Sequence, residues 1–349
     1  MTYKRRQFFR DAAAIALTSM LLTVPELASG ETVKEPLSKP YAPPAGPRSR
    51  LIFVNDLSGD IDGLFATVHA ILSPTSQLRG IIGTGTGRKD ETAARSAALA
   101  REMLGLMKNG SVPVYEGAAG KLTASHVPVR SAGTQAIIDE ALRTDTKLPL
   151  FIAVGGGLTE VASAIMLEPG IAERLTLVWI GGDAYPAGGT GETNFNIDPL
   201  AAQYLFNETN LRIWQVPRAV YGTCLVSDTE LQANVAPYGA IGGWLYAKLF
   251  EAAGRWGGAI NIGETWALGD SPLVVLTSLG DWGPSEYRPA FRYERYGSSP
   301  FDDVFAPHLN ADGTFSPRTE GRKIRIYKGI DTRMMLGDFF AKMRVNYGG

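Results

Sequence analysis

The sequence predicts an α/β fold: a mostly parallel open sheet with helices on both faces. Three observations predict it. From residue 51 onward, short apolar runs of strand character alternate with amphipathic helical stretches, and strands alternating with helices build a parallel sheet covered on both sides. A balance of 45% hydrophobic and 20% charged residues over 349 positions supplies a large core. No internal repeat or low-complexity segment interrupts the pattern after the first fifty residues.

The first thirty residues read as a separate export signal. Arg5 and Arg6 lie in the run Lys4-Arg5-Arg6-Gln7-Phe8-Phe9-Arg10, an apolar stretch covers 12–24, and Ala28-Ser29-Gly30 suits a cleavage site. The arginine pair followed by two phenylalanines resembles a twin-arginine translocation signal. An uncleaved anchor is the competing reading, although the apolar stretch is short for a membrane span. The expected location is periplasmic or secreted, with the twin-arginine export machinery as a partner. Residues 31–50, with Pro36, Pro40, Pro43, Pro44 and Pro47, read as an extended tether. Residues 51–349 then form the folded domain.

Within that domain strands are expected at 51–54, 77–82, 149–154, 175–180 and 211–216. Helices are expected at 61–72, 91–106, 158–166 and 197–206. Lys and Arg number 34 against 35 Asp and Glu, with no block of one sign. A nucleic-acid partner therefore has no electrostatic support. Cys224 is the single cysteine, which excludes an internal disulfide, and no Cys/His cluster suggests zinc or iron–sulfur.

In such sheets ligands bind beyond the carboxyl ends of the strands. The segment Val54-Asn55-Asp56-Leu57-Ser58-Gly59-Asp60-Ile61-Asp62-Gly63 sits at such an end and opens a helix. Asp56, Asp60 and Asp62 crowd one tight loop. Like charges so close call for a cation or a shared proton, and hard oxygen donors point to calcium or magnesium. The same spacing suits an acidic turn whose aspartates cap the helix. Spacing alone leaves both open.

The segment resembles the D-x-D-x-x-x-D-D-A-x-A motif of nucleoside hydrolases. Laid on without a gap, Asp56 matches the first aspartate, Asp62 the third and Ala66 the last alanine. Ser58 and Gly63 stand where the family has its second and fourth aspartates, and Asp60 is an extra carboxylate. Further similar segments follow in the family's order: Val114-Tyr115-Glu116-Gly117-Ala118, Gly156-Gly157-Leu158-Thr159-Glu160-Val161-Ala162, Ile180-Gly181-Gly182, and Glu192-Thr193-Asn194-Phe195-Asn196-Ile197-Asp198-Pro199. Leu268-Gly269-Asp270-Ser271-Pro272 resembles an H-D-P element, with Gly269 in place of the histidine that protonates the departing base.

The resemblance implies hydrolysis of the N-glycosidic bond of ribonucleosides by a cation-bound water. Asp60 or Asp56 then takes the proton of that water as general base. Asp62, Glu192 and Asn194 hold the sugar, and Asp60, Asp62, Thr159 (through its carbonyl) and Asp270 hold Ca2+. It also allows a homo-oligomer. Two rivals remain open: a nucleoside- or sugar-binding protein that lost catalysis, and a hydrolase of another glycosidic substrate. Ordinary loop capping is the competing role for Glu192 and Asn194. His69 reads as a packing residue, and His126 and His308 as loop residues. Gly83-Thr84-Gly85-Thr86-Gly87 lacks the ending of a phosphate loop. Trp266, Trp282, Tyr287, Phe291 and Tyr293 offer faces for stacking on a base or glycan, with core packing the expected role for most of them.

Overall fold

A strand whose residues are all buried needs a neighbour on each edge and a helical layer on each face. The apolar run at residue 51 meets that demand. The computed structural model describes residues 42–44, 46–189, 191–256, 263–280 and 299–348, all within the unit Ser38–Gly349. Among the described residues the central sheet has eight strands. They are β1 (Ser49–Asn55), β2 (Ser76–Gly83), β3 (Val114–Glu116), β4 (Leu150–Gly155), β5 (Leu175–Ile180), β6 (Arg212–Val216), β7 (Phe301–Phe305) and β8 (Lys323–Tyr327). Their spatial order is β3-β2-β1-β4-β5-β6-β8-β7. Every neighbouring pair is parallel except β7–β8. The α/β expectation is met, with one antiparallel edge strand added.

Alternate residues of each strand feed opposite layers. Leu51 and Phe53 of β1 join Ala66 and Ala70 of helix α1 (Asp62–Ile71). Phe65 and Val68 of α1 pack in turn on Met103 and Leu104 of α2 (Ala93–Leu106). Ile52 and Val54 join the other layer, built from α3 (Ala132–Leu142), α4 (Thr159–Leu167), the short α5 (Thr193–Ile197) and α6 (Pro199–Glu208). Helices α7 (Gly239–Trp256) and α8 (Thr332–Tyr347) complete the α1 side through Leu245 and Phe339.

Several boundaries move for identifiable reasons. The sheet begins at Ser49, so the last two residues of the expected tether belong to the domain. Arg50 is buried and ion-pairs with Glu140 at 2.8 Å, while Ser49 Oγ lies 2.9 Å from Ser76 Oγ. Helix α2 starts after Thr92, whose side chain accepts from the Arg95 amide. The helix expected at 197–206 splits, because Asp198 caps α6 through the Ala201 amide. The signal at 1–30, most of the tether, and Trp282, Tyr287, Phe291 and Tyr293 lie outside the described residues. Trp266 packs against the layer that holds Leu57 and Ile61.

The chain runs outward from β1 to β2 and β3, then returns to place β4 on the other edge of β1. Connections leaving β1 and β4 therefore diverge, which opens a crevice at their carboxyl ends.

His69 lies inside α1, with Nε2 2.7 Å from Asp338 Oδ2 and its ring 5.3 Å from Phe339. Burial lowers its pKa to about 4, against the pull of Asp338. An unfolded histidine titrates near 6.5. Between those values the unfolded chain holds a proton that the folded chain lacks, so stability rises with pH there. The contribution is complete above about 6.5 and is lost as pH falls through about 4; it amounts to about 3 kcal/mol. Urea unfolding at neutral and acid pH should show a flatter slope for His69→Leu than for the parent. Equal slopes would remove His69 from the account.

Candidate functional site

The crevice is floored by the turn that follows β1. The Asp56 carbonyl accepts the amides of Gly59 at 2.6 Å and Asp60 at 3.3 Å, a tight reversal that brings Asp60 and Asp62 back over Asp56. Asp60 Oδ1 accepts the Ile61 amide at 2.7 Å. Asp62 opens α1, and its Oδ2 accepts the Asp270 amide at 3.0 Å. Asp270 Oδ2 accepts from Asn55 Nδ2 at 2.7 Å. Asp56, Asp62 and Asp270 are buried, whereas Asp60 lies at the exposed rim.

Four carboxylates so placed hold their protons tightly. Burial pushes Asp56 well above the ordinary aspartate value, and Asp270 and Asp60 push it further. Asp62 is raised by burial, then by Asp270 and Asp60. Asp270 rises to about 7, chiefly through burial and against the Asn55 hydrogen bond. For Asp60, protein packed around the carboxyl raises the value, while hydrogen bonding with Asp62 and with the Ile61 amide works the other way. Asn55 Oδ1 and Asp62 Oδ1 are buried oxygens with no hydrogen-bond donor. A cluster of this kind favours positive charge.

The second wall comes from the loop before α5. Glu192 is fully buried and accepts four hydrogen bonds. They come from the amides of Gly182 (2.7 Å), Phe195 (2.7 Å) and Asn194 (3.0 Å) and from the Tyr221 hydroxyl (2.8 Å). Asn194 Nδ2 donates to the Ile180 carbonyl at 2.9 Å. The structure therefore binds Glu192 and Asn194 into the ends of β5 and α5, in the capping arrangement that competed with sugar binding in the sequence. Thr159 opens α4, and its hydroxyl donates to Asp198 at 2.6 Å rather than to a carboxylate of the cluster. Among the described residues, no three His, Cys, Asp or Glu side chains are already arranged to hold a metal ion.

The family model for inosine-uridine preferring nucleoside hydrolases matches residues 51–278. The chain belongs to this family. The nucleoside hydrolase of that description from Leishmania major is 28% identical over 180 residues, covering 44% of this chain and 56% of the relative. The alignment thus spans little more than half of that relative. A purine-preferring ribonucleoside hydrolase from Gardnerella vaginalis has a similar fold, with a TM-score of 0.65 at 17% identity over 84% of this chain and 98% of that one. The plant nucleoside hydrolase PpNRh1 gives 0.63 at 16% identity, over 85% and 99%. Identities this low speak for the fold alone.

Against the nucleoside-hydrolase motif, three positions have physical explanations here. Ser58 turns away from the acids: its Oγ lies 2.9 Å from Ser96 Oγ, and its amide donates to the same oxygen at 3.0 Å. It ties the loop to α2. At Gly63 an added Cβ would fall 2.0 Å from Asn55 Oδ1, so the Asn55 carboxamide fills the space that a side chain at 63 would need. At Gly269 an added Cβ would lie 2.9 Å from Asp62 Oδ2 and 3.0 Å from the Tyr221 ring. Tyr221 occupies the room beside the missing histidine. The partners of the three histidines lie elsewhere: Asp338 for His69, Glu208 for His126 and Arg318 for His308.

Sequence reading passes over Asn55 and Tyr221. Asn55 stands next to Asp56 at the strand end, and a glycine in a family aspartate position was the available signal for it. Tyr221 carries no local motif. Tyr221→Phe removes one of four donors to Glu192 and keeps the ring. A loss of about 1.5–3 kcal/mol in urea unfolding is expected, because the acceptor is charged. An unchanged midpoint would mean that the bond contributes nothing.

Proposed function

We propose that the chain hydrolyses the N-glycosidic bond of ribonucleosides to give ribose and free base. The carrying observation is the cluster of Asp56, Asp60, Asp62 and Asp270 at the crevice between β1 and β4, with the uncompensated buried oxygens of Asp62 and Asn55. The reaction develops positive charge at C1′ of the sugar, and a fixed group of carboxylates stabilises it there.

The family uses a metal ion, and the donor set supports a hard cation. Asn55 Oδ1 and Asp62 Oδ1 lack donors, and Asp60 and Asp270 add carboxylate oxygens. These four residues, with the Thr159 carbonyl, would hold Ca2+. When bound, it would offset the charge of these acids and lower the pKa of a water. Asp60 stands at the rim, open to solvent water. As the water oxygen bonds to C1′, Asp60 takes its proton, and buried Asp56 lies behind it. The C1′–N bond breaks and its electron pair leaves on the base. Gly269 has no side chain to protonate the base, so that proton comes from solvent. Asn194 orients the sugar, and Glu192 does so by exchanging the Tyr221 hydroxyl for a sugar hydroxyl.

Release of ribose from a nucleoside panel and from p-nitrophenyl riboside, with calcium and with chelator, tests this reading. Calcium-dependent release is expected, faster on the nitrophenyl compound, whose leaving group needs no proton. Rates on inosine matching those on the nitrophenyl compound would contradict the missing acid. No release, with sugar or nucleoside binding retained, would favour the binding-protein reading, which Ser58 turning away supports. Export belongs to the same proposal: Arg5→Lys with Arg6→Lys should keep the chain in the cytoplasm on cell fractionation.

A further inference from the structure

Beside the acid cluster lies a cavity of about 230 Å³, between the loops that follow β2 and β3 and the first turns of α2 and α4. It adjoins the cluster through Thr84, which lines the cavity. The Cβ position of Gly156 is 3.4 Å from the Thr84 methyl and 3.5 Å from the Asp56 carboxyl carbon. Three cations line it: Arg88, Lys89 and Lys121. Glu91 is the one acid among the described lining residues, and it is already engaged by Arg88 at 3.3 Å and by the Thr86 hydroxyl at 2.5 Å. Lys89 and Lys121 have no acidic partner among the described residues.

The lining is cationic on balance, next to a site that is strongly acidic. None of the described lining residues is aromatic, so the cavity offers no face on which a base could stack. Its volume lies below the ~300–1,000 Å³ of pockets for drug-sized ligands, which suits one charged group and part of a sugar. The N-terminal turn of α2, a helix of 14 residues, closes one side and adds the positive end of its dipole. The Gly83–Gly87 run is no phosphate loop by sequence, and the charge here comes instead from lysines on two different loops.

We propose that this cavity is a phosphate subsite, so that the substrates are ribosides bearing a phosphate on the sugar; the substrate claim rests on the hydrolase reading above. Two exposed lysines and a helix end together favour the phosphate about tenfold.

Isothermal titration of the full chain with ribose and with ribose 5-phosphate is the test. The phosphate is expected to bind about tenfold tighter. The preference should disappear in Lys89→Ala/Lys121→Ala and shrink as salt is raised. Equal affinity for the two sugars, or a preference that survives the double substitution, overturns the subsite. Base release from inosine and from its 5′-monophosphate, in the same preparation, reports separately on the chemistry. Release from neither, with the ribose 5-phosphate preference intact, sinks the hydrolase and leaves the subsite. Release from inosine with no preference for phosphate in either measurement sinks the subsite and leaves the hydrolase.

Discussion

Asp62→Asn should lose ribose release by about two to three orders of magnitude, the usual cost of deleting one preorganised electrostatic group, while the metal-free protein becomes more stable. The two effects share a cause. Asp62 is buried among Asp56, Asp60 and Asp270, and its raised pKa records how unfavourable its charge is there. Asparagine keeps an oxygen for the Asp270 amide, now 3.0 Å from Asp62 Oδ2, and removes one charge from the repulsion. Sites of this kind hold strain for the sake of function. Thermal unfolding with chelator and with calcium separates the terms. The variant should melt above the parent in chelator, and calcium should raise its midpoint less. A variant that melts lower in chelator would make Asp62 a structural cap and not a charge held for chemistry.

Glu192→Ala should behave in the opposite way and cost about 3–5 kcal/mol of stability, since several buried donors are left unpaired at about 1–3 kcal/mol each before water relieves them. The amides of Gly182, Asn194 and Phe195 and the Tyr221 hydroxyl all depend on that carboxylate. Glu192→Gln keeps one acceptor oxygen and should fall between the two. Denaturant unfolding of the three proteins, read beside ribose affinity, checks this. If the alanine variant is as stable as the parent, the carboxylate is not organising the loop. If stability falls while ribose affinity is unchanged, Glu192 is a cap only.

The sheet was legible because its signal is local: each strand is a short apolar run, and each helix repeats its apolar face. The turn of Asp56, Asp60 and Asp62 was legible for the same reason, as three acids beside one strand end. Side-chain direction was not. A register laid on without gaps assigns Ser58 to the acids, yet its neighbour across the loop is Ser96, to which its hydroxyl turns. Asn55 gains its place only because Gly63 leaves space for it. Tyr221 meets Gly269 across almost fifty positions, a proximity no spacing rule reports. The saturation of Glu192 by backbone amides depends on how the loop closes around it.

The Asn55–Asp270 hydrogen bond joins residues 215 positions apart. At roughly 5–20 residues per second of synthesis, roughly 10–40 s separate the appearance of the two partners. During that interval the β1 turn exists without its fourth carboxylate, and the sheet can assemble before the full repulsion is imposed. The fourth acid is thereby added to the cluster late in biosynthesis, once β1 to β6 and the helices between them have been made.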